Sequence, residues 1–350
     1  MEKIEKYIVS ESVNISTAIK QMDKCGIGFI AIADENGHII GIVTDGDFRR
    51  SILKGIKLKE CVEKITNRDF IFLGEDYTHE DVNKIFSGSE ANHIPVLEDG
   101  KLLDIITDEK NLGIKKTNKK QMLNNPVIIM AGGMGTRLDP FTRILPKPLI
   151  PIGNDPIIKV IMDAFGSYGM ELFLVSINHK GKMIKAYFYD HEFDYDIEFF
   201  EEEKPLGTAG SLKLMSESIN ETFFVSNCDI IIRCDYDKIL KFHQKRQNAI
   251  TLVGSMRHHT VPYGVCEIEN GGDLVAINEK PEYDYLTNTG LYLMEPNVID
   301  LIPENHRFDM TDLIAKAQKS ELRVGVFPVS DKSYLDLGQW SEYEKNTGIS

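Results

Sequence analysis

A glycine run followed by two spaced cations equips this 350-residue chain to hold phosphate. Val127 to Met130 is a continuous apolar run, and Ala131-Gly132-Gly133-Met134-Gly135 follows it directly. Residues without Cβ let backbone N–H groups come close to phosphate oxygens. Thr136 and Arg137 come next, adding a hydroxyl and a guanidinium that forks onto two phosphate oxygens. Lys147 stands between Pro146 and Pro148, so a stiff backbone aims its ammonium with little loss of entropy. A dinucleotide fingerprint needs G-x-G-x-x-G, and a P-loop needs Gly-Lys-Ser/Thr after its glycines; neither spacing is present. A ligand-free strand-to-helix turn would explain the glycines alone, but not Arg137 and the Pro-Lys-Pro segment beside them.

Small residues and acids recur further along. Leu206-Gly207-Thr208-Ala209-Gly210 suits close approach to a base or a phosphate, although a tight helix-entry turn accounts for it equally well. Glu201-Glu202-Glu203 lies just before it. One carboxylate accepts both adjacent N–H donors on the Watson–Crick edge of guanine, whereas thymine or uracil offers one donor between two acceptors. The acidic run therefore leans towards GTP, with a solvated charged face as the plain alternative. Phe223 to Ser226 is an apolar strand leading into Asn227-Cys228-Asp229, and Asp336 is a second isolated acid in Tyr334-Leu335-Asp336-Leu337-Gly338. Magnesium is commonly held by one or two carboxylates plus substrate phosphates, although either aspartate alone also suits a cap or turn. Tyr263-Gly264, Glu279-Lys280 and Asn288-Thr289-Gly290 lie between them. They offer a carboxylate for sugar hydroxyls, an ammonium for a monophosphate and glycines for close approach of a ring. The plain alternative makes Glu279 and Lys280 an exposed ion pair of little worth.

Gly132 to Leu138 with Pro146 to Pro148 resembles the signature of the nucleotidyltransferases that join a nucleoside triphosphate to a sugar 1-phosphate. Leu-Gly-Thr-Ala-Gly looks more like the guanylyl-transferring members than the thymidylyl ones. The resemblance implies a nucleotide site at Ala131, Gly132, Gly133, Gly135, Thr136, Glu202, Gly207 and Thr208. It implies a sugar-phosphate site at Tyr263, Gly264, Glu279, Lys280, Asn288 and Thr289, and Mg2+ at Asp229 and Asp336. Arg137 is then expected on the outer triphosphate oxygens, Lys147 on the α-phosphate and Lys280 on the incoming monophosphate. The expected reaction joins GTP to a hexose or amino-hexose 1-phosphate, or failing that CTP or dTTP to glucose 1-phosphate, and releases pyrophosphate. The nucleophile is already ionised, so catalysis reduces to positioning and charge neutralisation. A catalytically silent, nucleotide-sensing scaffold is the rival, but such a chain is expected to have lost Lys147 or the aspartates.

These groups need a frame. After Pro151, helical pattern (Pro156 to Tyr168, Lys180 to Tyr189) alternates with strand pattern (Glu171 to Ile177, Phe223 to Ser226, Ala249 to Gly254). This β-α-β rhythm predicts an α/β fold, a Rossmann-like mostly parallel sheet with binding groups at the carboxyl ends of its strands. The expected division is residues 1–115, a linker at 116–125 rich in lysine, and the transferase domain at 126–350. The chain ends soon after Asp336, which argues against an appended β-helical acyltransferase domain.

Hydrophobic content of 42% and charged content of 27% are those of a globular protein. A net charge of −14 argues against nucleic acid or an anionic membrane as partner. Five cysteines without a C-x-x-C pair, and no signal-like N-terminus, point to the cytoplasm.

The first third carries a weak duplication. Gly37, Ile42, Thr44 and Asp45 recur 63 residues later as Gly100, Ile105, Thr107 and Asp108. Each half reads as helix, strand, turn, strand, and two such halves are expected to pack together. The pattern resembles a tandem CBS pair of α+β units, which implies an adenine nucleotide site at Thr44 and Asp47 and assembly into a homo-oligomer. The plain alternative is that Thr44 and Asp47 cap the next helix. The resembled Gly-x-x-Thr-x-x-Asp pattern is complete at Gly41, Thr44 and Asp47, whereas in the second half Asp104 stands for Gly41 and Lys110 for Asp47.

Overall fold

The computed structural model describes residues 4–89, 91–107, 122–139, 141–191 and 193–337, excepting the side chains of Arg137 and Lys332. The chain divides into two compact units, Met1–Lys119 and Lys120–Ser350.

The first unit runs β1 (Ile8–Ser10), α1 (Ile15–Cys25), β2 (Phe29–Ala33), β3 (Ile39–Thr44), α2 (Asp45–Leu53), β4 (Leu73–Gly74), α3 (His79–Gly88), β5 (His93–Glu98) and β6 (Lys101–Thr107). The expected duplication appears as two three-stranded sheets of one design, β1-β2-β3 and β4-β5-β6. In each, the first pair is parallel and the second antiparallel. Neither half buries its sheet alone. Phe29, Ala31, Ile39 and Ile42 of the first pack with Leu102 and Ile105 of the second.

The second unit begins with β7 (Val127–Ala131), the short helix α4 (Phe141–Ile144), the two-residue strands β8 (Pro151–Ile152) and β9 (Asp155–Pro156), and α5 (Ile157–Gly166). There follow β10 (Leu172–Ile177), α6 (Gly181–Asp190), β11 (Asp196–Glu201), α7 (Gly207–Gly210), β12 (Phe223–Asn227), β13 (Ile230–Ile232) and α8 (Tyr236–Arg246). The last elements are β14 (Ile250–Thr260), β15 (Val265–Ile268), β16 (Leu274–Asn278), β17 (Glu282–Met294), α9 (Met310–Lys319), β18 (Val324–Val329) and β19 (Tyr334–Asp336). Seven strands form one sheet in the order β11-β10-β7-β12-β17-β14-β18. All its pairs are parallel except those made by β17, so the sheet is parallel-dominated, as expected.

The apolar run in β7 is unbroken because both faces of the sheet are covered. Val127, Ile129 and Ala131 join one core with α5, α6 and α8; Ile128 joins the other with α9. The polar segment before β7 departs from the expected exposed linker at its end. Leu123 is buried in the first of these cores, with its N–H donated to the Tyr168 carbonyl at 2.7 Å.

Candidate active site

Strand β7 lies between β10 and β12, so the chain leaves it towards one side and returns on the other. A crevice opens outside the carboxyl ends of strands at such a switch point. Gly132 follows β7, Asn178 follows β10, Glu202 follows β11 and Asp229 lies two residues beyond β12. Four segments far apart in sequence thereby deliver their polar groups to one edge.

The glycine loop after β7 folds back onto the lysine that follows it. Gly135 has φ +68°, and a Cβ there would stand 2.9 Å from both Lys147 Cβ and Thr142 Cγ2. Lys147 opens a single helical turn, Lys147–Leu149, with Pro148 buried beneath it. Its ammonium donates to Asp229 Oδ2, and the two side chains are 12% and 19% exposed. The antiparallel pair β13–β19 sets Asp336 opposite Ile230, and Leu337 N–H donates to the Asp229 carbonyl at 2.9 Å. Burial, then Asp336 and Asp229, push the Tyr334 phenol well above its usual range, so both carboxylates bear on one ring. Burial and the adjacent Asp229 likewise push the Cys228 thiol up to about 12, which leaves it an inert protonated group. Among the described residues no cluster of three or more His, Cys, Asp or Glu is placed to hold a metal. Two hard carboxylates suit a cation that takes its remaining ligands from substrate.

Glu202 is not on a solvated face: it is 9% exposed, unlike its exposed neighbours Glu201 and Glu203. Ser176 Oγ donates to its Oε1 at 2.5 Å, and Leu206 N–H donates to its Oε2 at 2.9 Å. Gly132 lies so close that a Cβ would stand 2.5 Å from Oε1. The loop is also held by its backbone, since Asn178 Nδ2 donates to the Glu202 carbonyl at 2.6 Å.

The Gly-Thr-Ala-Gly segment forms α7, and the chain itself engages it. Ala209 and Gly210 N–H donate to the Phe308 carbonyl, and Thr208 N–H donates to Asp309 Oδ1 at 3.2 Å. Thr208 Oγ1 accepts from Met310 N–H at 2.8 Å, capping α9. Gly207, at φ +82°, has no room for a Cβ against Asp309 and the Phe308 carbonyl. The tight-turn reading therefore describes what Gly207 and Thr208 do within the chain, while they border the loop that carries Glu202.

The expected sugar-phosphate residues fall into two groups. Ser226 pairs with Leu291, so Asn288, Thr289 and Gly290 stand at the sheet's carboxyl edge. Thr289 is 2% exposed and donates to the Val253 carbonyl at 2.8 Å beside the bulge in β14. Its hydroxyl is thereby engaged within the fold. Asn288 is exposed and donates to Tyr292 Oη at 2.7 Å. The ribbon β14–β17 continues past the edge to Thr260 opposite Glu282, and the hairpin β15–β16 follows. Tyr263 and Gly264 lie just before that hairpin and Glu279 and Lys280 just after it, all exposed, with Gly264 facing the Glu279 carboxylate. Among the described residues no ion pair joins Glu279 to Lys280. This group is carried on the order of 25 Å of strand contour beyond the edge, so it meets the phosphates only with the ribbon curled back over the crevice.

In the first unit, Thr44 and Asp47 close a capping box on α2. Thr44 Oγ donates to Asp47 Oδ2 at 2.6 Å, and Arg50 pairs with Oδ1 at 2.6 Å. The helix-cap alternative thus accounts for both side chains. The Arg137 side chain and Gly338 lie outside the described residues, as do Asp108 and Lys110.

Sequence reasoning missed Ser176, Asn178, Lys180 and Asp309. Lys180 follows β10 and donates to the Thr142 and Arg143 carbonyls, both at 2.7 Å, tying down the stretch between Gly135 and Lys147. Two signals were available: a serine inside an otherwise apolar strand, and polar residues directly after a strand's carboxyl end.

A family profile described as nucleotidyl transferase matches residues 126–348, and one described as CBS domain matches residues 4–54 and 62–110. The chain is 31% identical over 240 residues to a UTP–glucose-1-phosphate uridylyltransferase of Synechocystis sp., covering 62% of this chain and 61% of that one. It is 36% identical over 186 residues to a mannose-1-phosphate guanyltransferase of Kluyveromyces lactis, covering 50% and 51%. It thus spans about half to three-fifths of the length of these curated relatives. Its fold is similar to the crystal structure of HddC from Yersinia pseudotuberculosis, with a TM-score of 0.51 and 24% identity over 64% of this chain and 98% of that one. With its signature loop at the switch point and the profile matched across the whole sheet, the chain belongs to the nucleotidyl transferase family and carries a CBS pair ahead of its transferase unit.

Proposed function

We propose that the second unit transfers a nucleoside monophosphate from a nucleoside triphosphate, GTP in preference, to a hexose or amino-hexose 1-phosphate, releasing pyrophosphate. The observation that carries this reading is the convergence of Lys147, Asp229 and Asp336 beside the Gly132–Gly135 loop. The reactants repel one another, and preorganised charge is what lowers such a barrier. Lys147 neutralises the α-phosphate as the sugar phosphate oxygen attacks and pyrophosphate departs. Arg137 steadies the outer oxygens, and Lys280 meets the incoming monophosphate. Asp229 and Asp336 would hold Mg2+, which would supply further charge neutralisation.

Glu202 supports the choice of GTP. Its two oxygens are each fixed by one internal donor, leaving acceptor lone pairs for the two adjacent donors of guanine. The guanyltransferases of several yeasts among the relatives, at 34–36% identity, agree with it. A second reading, pyrimidine nucleotide transfer to glucose 1-phosphate, is favoured by the Synechocystis relative. It sets a carboxylate against a pyrimidine carbonyl, an acceptor against an acceptor.

The CBS pair is proposed to bind an adenine nucleotide at Thr44 and Asp47 and to hold copies of the chain together in the cytoplasm. Magnesium-dependent pyrophosphate release, with GTP, UTP, CTP and dTTP each paired with a panel of sugar 1-phosphates, tests the catalytic reading. GTP is expected to lead; no release with any pair refutes the assignment.

A further inference from the structure

Ser176 is a polar side chain in a place built for an apolar one. It occupies β10 two residues beyond Leu174, on the same face of the sheet, and is 0% exposed. A hydroxyl buried so completely is unfavourable unless it is bonded, and its partner is the Glu202 carboxylate. Leu206 N–H holds the other carboxylate oxygen, and Gly132 packs against one flank of Oε1. The head group is therefore fixed in both tilt and rotation. Ser176 itself is too deep to reach a nucleotide.

We propose that Ser176 is a specificity-determining positioning residue, whose hydroxyl orients Glu202 so that both oxygens face the nucleobase together. The inference rests on the reading of Glu202 as the group that accepts from guanine. Two adjacent donors are read together only if the carboxylate plane matches the base plane. With Ser176 absent, Oε1 loses its only side-chain donor among the described residues, and the carboxylate rotates about the bond held by Leu206. One contact to guanine then survives and the other is lost.

The test compares GTP with ITP, which keeps the ring N–H of guanine and lacks the amino group, and with UTP. Steady-state kcat and KM are measured for the full chain, for Ser176→Ala and for Ser176→Thr, which restores a hydroxyl. Because the ratio of kcat/KM for two triphosphates is taken on one preparation, it does not depend on the fraction folded. A charge-assisted hydrogen bond lost from the GTP complex corresponds to about a 10–100-fold change. Ser176→Ala is expected to raise the KM for GTP by about that much with kcat little changed. Its GTP-to-ITP ratio should collapse towards one, UTP kinetics should stay as they were, and Ser176→Thr should recover the ratio. An equal loss with all three triphosphates, or an unchanged ratio, overturns the proposal and leaves Ser176 a packing residue. A wild-type chain that turns over ITP as well as GTP overturns the reading of Glu202 instead, and Ser176 falls with it.

Discussion

Lys147 and Asp229, 82 residues apart in the chain, form an ion pair at the carboxyl edge of the sheet with both side chains mostly buried. The pair sets a competition, because the oxygen that Lys147 holds is one that a divalent cation would also need. Lys147→Ala should lower kcat by on the order of 10²–10³, the usual effect of removing one preorganised charge. The same substitution should tighten the apparent affinity for Mg2+, since Asp229 loses its internal partner. Titrating residual activity with magnesium reads both effects; near-normal turnover would refute the role of Lys147.

Glu202→Gln should exchange one base preference for another. The Leu206 N–H needs an oxygen opposite it, so the amide turns its NH2 towards Ser176, whose hydroxyl then accepts instead of donating. The outward edge becomes one acceptor and one donor, which matches a pyrimidine and mismatches guanine. The kcat/KM for GTP should fall about 10–100-fold while that for UTP or dTTP rises. A parallel fall with every triphosphate would argue against base reading by this residue.

What the sequence discloses depends on whether the cause is local. The strand Val127–Ala131 was legible because a segment covered on both faces must be apolar throughout. The repeat in the first unit was legible because each half has the same turn and strand pattern. The burial of Glu202 was not, since a run of three acids reads as solvated. Its surroundings come from Gly132, in the loop after β7, and Ser176, in β10. The hydroxyls of Thr208 and Thr289 were likewise illegible, because their partners lie 102 and 36 residues away. Leu123 looked like linker for the same reason: its core is assembled from strands far along the chain.

Gly207→Ala should weaken the nucleotide loop rather than remove a chemical group. A side chain at φ +82° is strained, and the new Cβ would sit 2.6 Å from Asp309 Oδ1 and 2.7 Å from the Phe308 carbonyl. Relief requires α7 and the turn before α9 to separate. A loss of about 1–3 kcal/mol is expected in urea unfolding of the second unit. The KM for triphosphate should rise with it, since Leu206 N–H is one of the two donors that hold the Glu202 carboxylate. An unchanged midpoint would show that the turn yields freely.

His243 gives the second unit a pH dependence whose direction the hydrogen bonds fix. It is 1% exposed, and burial holds its imidazole below the ordinary 6.5, outweighing the opposing pull of Glu295. Glu295 only accepts, so Nε2 carries the proton donated to it at 3.0 Å, and Nδ1 accepts from Thr251 at 2.7 Å. The folded chain thus keeps this ring neutral at pH values where the unfolded chain protonates it. Stability is full above pH 6.5 and is lost as the pH falls below that, down to the lowered folded value. His93, half-buried against Phe29, shifts the same way in the first unit. Urea midpoints of the second unit's transition should therefore fall with acidification from neutrality. His243→Gln, which has no proton to gain, should flatten that slope; an equally steep slope in the variant would place the acid sensitivity elsewhere.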